Sequence, residues 1–508
     1  MSPILLAVFF IALVACLLRH AFNRPPNYPP GPPRLPLWGN LWQVMLRDYR
    51  SPHKALLALS KDYCSALISV YVGAFPVVVA NDHETVHAML SHPAFQGRPD
   101  CFTARIRSFN RLHGIFFTDG DYWAQQRRFS LRHLRDYGFG RRFDKLEAMV
   151  LEEVQGIVNI LKGSVSPYDK DVARDGRVLL PELFAAHSTN TVLAVLTGTR
   201  LPPEQYPLAR DLSRLIKGFQ RAGNASGGAL DATPWLRFLT PSGFGFKDYK
   251  TGNDALLDFM SRQISEHKGS FDGEAIRGFC DKYLLEMQGR AGENSSFTEL
   301  QLLLTLMDYF FPASTAIPSA LAFAVLNSIA HPDKADRAHQ EIKEVVGLDR
   351  LPDLNDRVNL PYTEAFLRET LRMTGTPLTL MHRATEDSYF RGFYVPKDTL
   401  LVPNMWAAHH DPTVYEKPFE FMPERFLQHH SGQLKRKDTS VPFGLGKRLC
   451  AGETFARQNS FLFLAALLQG FRFTMPDGAA VPETEEDAVF GFIMTPPDDL
   501  WVQVAERV

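Results

Sequence analysis

Residues 442–452 read Pro-Phe-Gly-Leu-Gly-Lys-Arg-Leu-Cys-Ala-Gly, and no other stretch of the 508-residue chain restricts the possible folds as tightly. Gly446 permits a tight turn, Cys450 follows it, and the segment from Glu453 to Gly470 has the apolar make-up of a buried helix. A cysteine set just before a helix meets free amide N–H groups and the positive end of the helix dipole, and both favour thiolate over thiol. The run therefore predicts a held, reactive sulfur; the plainer alternative is a structural cysteine beside a turn. The remaining cysteines, Cys16, Cys64, Cys101 and Cys280, are widely spaced, bring the total to five and form no CxxC pair. That argues against a disulfide scaffold and a zinc site, and for a reducing compartment.

The same run fits the pattern F-x-x-G-x-R-x-C-x-G at Phe443, Gly446, Arg448, Cys450 and Gly452. Five fixed positions recur by chance on the order of once in ten thousand such chains. On these residues the chain resembles the cytochrome P450 family of microsomal haem-thiolate monooxygenases, and the resemblance runs over essentially its whole length. It implies haem b (iron protoporphyrin IX) with Cys450 as the metal ligand, Phe443 covering the sulfur, Gly452 admitting the porphyrin and Arg448 meeting a propionate. A thiolate ligand pushes electron density onto iron and favours O–O cleavage. Trp123-Ala-Gln-Gln-Arg127 resembles the family's W-x-x-x-R helix, whose i, i+4 spacing puts two propionate donors on one face. His382 falls where similar enzymes bind a propionate. Glu369-Thr-Leu-Arg372 and Pro423-Glu-Arg425-Phe426 resemble the segments that build a buried Glu369, Arg372 and Arg425 ion-pair network behind the cysteine loop. The overall flavour is similar to the insect branch of the drug- and hormone-metabolising group.

The rest of the chain predicts a mainly α fold with small β-sheets, in one large haem domain. Pro3 to Leu18 carries no charge and Arg19, His20 and Arg24 follow it, the order expected of an uncleaved transmembrane anchor over 1–24 with the bulk of the chain in the cytoplasm. A cleaved signal peptide is the alternative. Residues 25–40 form a proline-rich hinge, a stiff spacer between membrane and body, and 41–508 the catalytic domain. Residues 66–80 alternate around Gly73 and Pro76 like a hairpin, 83–330 are mostly helical in period, and 390–402 turn strand-like again. A formal net charge of −1 gives no global field to recruit nucleic acid.

The departure from the family pattern lies in the long helix expected over the haem. Aligned from Asp308, it reads Pro312-Ala-Ser314-Thr315-Ala316-Ile-Pro318, with Thr315 where the acid belongs and Ala316 where the threonine belongs. Ser314, Thr315 and ordered water are then the candidates for delivering protons to bound dioxygen, and the two prolines predict a kinked helix. Three functions fit. One is a monooxygenase inserting an atom of O2 into a lipophilic small molecule (steroid, fatty acid, terpenoid or xenobiotic), with electrons from NADPH through a flavoprotein cytochrome reductase and cytochrome b5 as a further partner. The second is a reductase-independent isomerase or dehydratase consuming a hydroperoxide; the third is a haem sensor or carrier. Arg128, Arg132 and Arg135, with Lys435, Arg436, Lys437 and Lys447, form a candidate reductase surface, and the apolar cluster from Pro234 to Pro241 a candidate membrane-dipping roof. The implied location is the endoplasmic reticulum membrane, catalytic domain on the cytoplasmic face. Residues 98–117 and 219–239 are expected to line the substrate cavity.

Overall fold

The structure, a computed structural model, describes residues 3–222, 229–271, 273–290, 295–375, 381–483 and 486–507. Helix α1 (Pro3–Phe22) is apolar, and residues 8–20 are all exposed, so nothing in the chain buries its surface. The hairpin expected at 66–80 is present as β1 (Leu67–Val72) and β2 (Phe75–Ala80), with Gly73 at φ +61° in the turn. The proline run does not stand clear as a spacer. Ser69 donates from its backbone N–H to the Pro30 carbonyl and from its hydroxyl to that of Pro29, both at 2.7 Å, so the run docks along β1. A proline-rich segment has few N–H donors of its own, and its carbonyls seek donors elsewhere.

Beyond the hairpin the chain is helical, apart from a short excursion through β3 (Ala173–Arg174) and β4 (Arg177–Leu180). The helices that build the site are α2 (Gly120–Leu134), α3 (Glu182–Leu196), α4 (Tyr206–Ala222), α5 (Glu299–Ala330), α6 (Pro361–Thr374) and α7 (Glu453–Gly470). The later strands are β5 (His382–Arg383), β6 (Ser388–Phe390), β7 (Phe393–Val395), β8 (Leu400–Pro403), β9 (Phe471–Thr474) and β10 (Leu500–Glu506). They complete two four-stranded sheets, β1-β2-β8-β5 and β3-β4-β10-β9, and a β6–β7 hairpin. β2 and β8 run parallel, which brings residues more than 300 apart into one sheet and delivers His382 on β5 to the site.

Helix α5 is the axis of the molecule, packed against α3, α4, α6 and α7. Among the described residues it is the one helix long and apolar enough to cross a membrane by length and composition, and most of it is buried in the core. Thr298 caps its start, accepting the Gln301 N–H. It stays helical through both Pro312 and Pro318. The Ser213 hydroxyl of α4 reaches the Ser314 carbonyl that Pro318 leaves without an N–H (3.4 Å), and the Ser188 hydroxyl of α3 ties α5 to α3 through the Ala313 carbonyl (2.9 Å). A strap over 489–498 closes on itself through the paired backbones of Val489 and Thr495. It is tied to the end of α4 by Phe492 N–H to the Gln220 carbonyl (3.3 Å) and by the Arg221–Asp498 ion pair (2.7 Å).

Candidate active site

The cysteine loop is a closed turn. Cys450 donates its N–H to the Phe443 carbonyl at 2.9 Å, which holds the Phe443 segment beside the sulfur. Gly446 adopts φ +68°, and a Cβ there would sit 2.7 Å from the Leu90 carbonyl oxygen, so only glycine fits. Cys450 opens onto a cavity enclosed by protein, lined also by Phe443, Gly452 and residues of α2, α5 and α7. Burial pushes the thiol pKa up, while the Gly452 N–H and the charge of Arg127 favour the thiolate and Glu453 opposes it.

One wall of this cavity is cationic. Trp123, Arg127, His382 and Arg448, the residues singled out in the sequence, lie on it together with Arg98. The Arg448 guanidinium stacks 3.8 Å from the Trp123 ring centre, with Arg127 at 5.6 Å from the same ring. Burial, with repulsion between these arginines, lowers the pKa of Arg98 to about 9 and that of Arg448 to about 8. Burial first, then Arg98 and Arg448, depress His382 well below the ordinary imidazole value, and its Nδ1 is 2.8 Å from the Phe95 carbonyl. Trp123 Nε1 and Arg448 Nη2 are buried and bond to nothing among the described residues. The nearby anion, Asp119, is off the cavity lining and bonded to Arg383 and the Arg98 N–H, and a flat group carrying two carboxylates beside a sulfur ligand matches the cationic lining. Haem fits these residues. Arg98, between Gly97 and Pro99, begins the range expected on the cavity, but no spacing signal marks it for this wall.

The opposite wall is α5. Its cavity lining is Asp308, Tyr309, Phe311, Pro312, Ala313, Ala316, Ile317, Ser319 and Ala320, centred on the i, i+4 series 308, 312, 316 and 320. Ser314 and Thr315, the sequence candidates for proton delivery, are buried and absent from this lining. Both hydroxyls donate to the Phe311 carbonyl (3.2 and 2.8 Å), and Thr315 Oγ1 also accepts Gln220 Nε2 at 2.9 Å. The expectation that one of them faces the reacting centre is thus corrected: the helix turns that pair toward α4. Ser319, one turn on, lines the cavity with its hydroxyl buried and without a partner.

Asp308 is a carboxylate on the lining, but its oxygens are committed. Oδ1 pairs with buried Arg107, and Oδ2 accepts the N–H groups of Ile115 (2.6 Å) and Phe116 (2.9 Å). Gly114, at φ +85°, lets that segment come so close: a Cβ there would meet Asp308 Oδ2 at 2.3 Å. Ile115 and Phe116, with Arg98, are the part of 98–117 on the cavity; from 219–239 it is Gln220, and residues 223–228 lie outside those described.

Behind the loop the expected triad is assembled: Arg372 and Arg425 bond Glu369 at 2.7 and 2.9 Å, and Arg372 also donates to the His409 carbonyl. Arg128, Arg132, Arg135, Lys435, Arg436, Lys437 and Lys447 are all exposed, as are Trp235, Phe238 and Leu239.

The cytochrome P450 family model matches residues 29–502. Over 488 residues the chain is 31% identical to human cytochrome P450 2U1, covering 91% of this chain and 86% of the relative. It is 30% identical to the farnesoate epoxidase of Bombyx mori (90% of each) and 31% identical to mouse cytochrome P450 2B9 (94% of each). A cysteine presented to an enclosed cavity, a cationic wall awaiting carboxylates and a match across nearly the whole chain lead to one assignment: this is a member of the cytochrome P450 family, a haem-dependent monooxygenase.

Proposed function

We propose that the enzyme inserts one oxygen atom of O2 into a lipophilic small molecule, with electrons from NADPH delivered by a membrane-bound flavoprotein reductase, at the cytoplasmic face of the endoplasmic reticulum. The observation that carries this reading is the cavity that joins Cys450 and its cationic wall to a chamber lined mainly by apolar side chains. Bound there, haem supplies the oxygen-activating chemistry, and thiolate ligation favours O–O cleavage. The chain's own part is to hold it. Cys450 ligates the iron, with the Gly452 N–H stabilising the sulfur's charge and Phe443 shielding it. Arg98, Trp123, Arg127, His382 and Arg448 receive the propionates. Phe116, Phe311 and Phe492 keep water from the substrate side.

Proton delivery falls to the Ser319 hydroxyl and water on the same helix face, with Ser314 and Thr315 acting as positioning groups behind it. The exposed basic groups of α2 and the 435–447 segment suit an acidic reductase or cytochrome b5. Steroids, fatty acids, terpenoids and xenobiotics all match the apolar lining, and one relative is named for an epoxidation of farnesoate.

The alanine at 316 and the committed Asp308 favour a second reading, a reductase-independent isomerase or dehydratase that uses a hydroperoxide. Reconstitution with reductase, measuring NADPH, peroxide and product together, separates the two. NADPH-dependent product is expected, with Ser319→Ala raising peroxide per NADPH and slowing turnover by about 10²-fold or less. Turnover of a hydroperoxide without reductase, and none with NADPH, overturns the monooxygenase reading.

A further inference from the structure

A carboxylate follows the cysteine loop at the first position of α7. After burial and the Gly452 N–H, the charge of Glu453 is the next influence on the Cys450 sulfur. An anion close to a sulfur that must itself carry negative charge is unfavourable, and Arg457 offsets it. One helical turn beyond Glu453, Arg457 donates from Nε to Glu453 Oε1 at 2.9 Å and from Nη2 to Asp438 Oδ2 at 3.3 Å. It is the one ion-pair partner of Glu453 among the described residues. Its guanidinium carbon also lies 4.8 Å from the centre of the Phe443 ring. Phe443 is on the cavity lining beside Cys450 and Arg457 is not, so the ring stands between the guanidinium and the haem site. Arg457 and Asp438 are each only 17% exposed, and charges held in that way are less screened by water and salt than surface charges are.

We infer that the Glu453–Arg457 pair sets the reduction potential of the iron held by Cys450: the carboxylate makes the iron harder to reduce, and Arg457, a positioning residue, cancels most of that effect. The inference rests on Cys450 being the iron ligand, and it adds to the proposed function the side chains that govern how readily an electron enters. Reduction of ferric to ferrous haem takes up one electron, given by the reductase in the proposed function and by dithionite in the test, and it moves no atom. The charge of the site falls by one, so a nearby anion opposes the step and a nearby cation favours it.

The test is a redox titration of the haem-loaded full chain with dithionite and mediator dyes, without reductase, so that partner docking contributes nothing. The ferrous carbon monoxide band of each variant shows whether thiolate ligation is intact. Arg457→Gln frees the Glu453 charge and should make reduction about tenfold less favourable, a potential about 59 mV lower for one electron. Glu453→Gln should move the potential upward, and it decides the matter if Arg457→Gln loads haem poorly. The double variant should return close to the parent. Arg457→Lys, which keeps the charge without the flat guanidinium, should stay near the parent too. Unmoved potentials in both single variants, or shifts of the same sign in both, overturn the inference, and so does an Arg457→Lys potential as low as that of Arg457→Gln. A parent without the thiolate band removes the ligand reading and this inference with it, whereas a parent with the band and unmoved potentials removes the inference alone.

Discussion

At Cys450 burial raises the thiol pKa while an amide and a cation lower it, and a metal bound at the sulfur would decide the contest by replacing the proton. The ferrous carbon monoxide complex is expected to show the long-wavelength Soret band of thiolate ligation, and Cys450→His to retain some haem while losing that band. A thiolate band persisting in Cys450→His would move the ligand to another cysteine. His409 is the second residue with a readable consequence. Its Nε2 accepts the Val441 N–H at 3.0 Å, and burial, then His410, Arg372 and His83, hold its pKa well below 6.5. The folded pKa lies below the unfolded one, so the unfolded chain takes up the proton first. Stability is full above about 6.5 and falls as the pH drops toward the depressed value, by up to about 1.4 kcal/mol per pH unit for one such group. Urea unfolding from pH 7 to 5 should show this slope, and His409→Gln, which keeps an acceptor for Val441, should flatten it. An unchanged slope would assign the acid sensitivity to other groups.

Among the elements, α5 shows where sequence reading stops. Alignment from Asp308 located the anomalous stretch, because a run of residue identities survives without coordinates. It did not fix the rotation of the helix, which depends on what α3 and α4 place against it; Ser314 and Thr315 went to α4, and the cavity received Ser319. The helix stays continuous through its prolines with outside help: a serine on α4 supplies the Ser314 carbonyl with the donor that Pro318 cannot. The Glu369, Arg372 and Arg425 network was legible through the resemblance of residues 369–372 and 423–426 to the family's segments, and its bonds are present. Arg98 and Gln220 fall within the ranges expected on the cavity, but their individual contacts were not legible, since each depends on partners far away in the chain. The tie between α5 and residues 114–116 carries its own prediction. Asp308→Ala leaves Arg107 buried and uncompensated, a loss of about 3–5 kcal/mol in urea unfolding. Protease cleavage near 114–116 should rise with it. A variant as stable as the parent would show that Asp308 is not the anchor.

For the whole molecule the question is which way it faces the membrane. α1 is apolar and exposed, and Trp235, Phe238 and Leu239 add an apolar patch on the body. Deleting residues 1–24 should abolish carbonate-resistant membrane insertion while leaving haem loading intact, with residual binding through the patch that alkaline carbonate strips. A secreted, processed form in cells would refute the anchor. The basic groups supply an independent readout: Arg128→Glu with Arg132→Glu should raise the KM for reductase severalfold at low salt, and the difference should shrink as salt rises.

The strap over 489–498 gives the fold a mechanical property. It belongs to the last part of the chain, yet its bonds to Gln220 and Arg221 fasten it to the end of α4, near the middle. The two behave as a lever and its linkage. Lifting α4 away from the chamber pulls the strap with it, so Phe492 and Gln220 move off a bound molecule in the same stroke. The aromatic side chain and the helix end move together, and the give of that side of the chamber becomes a property of that one joint.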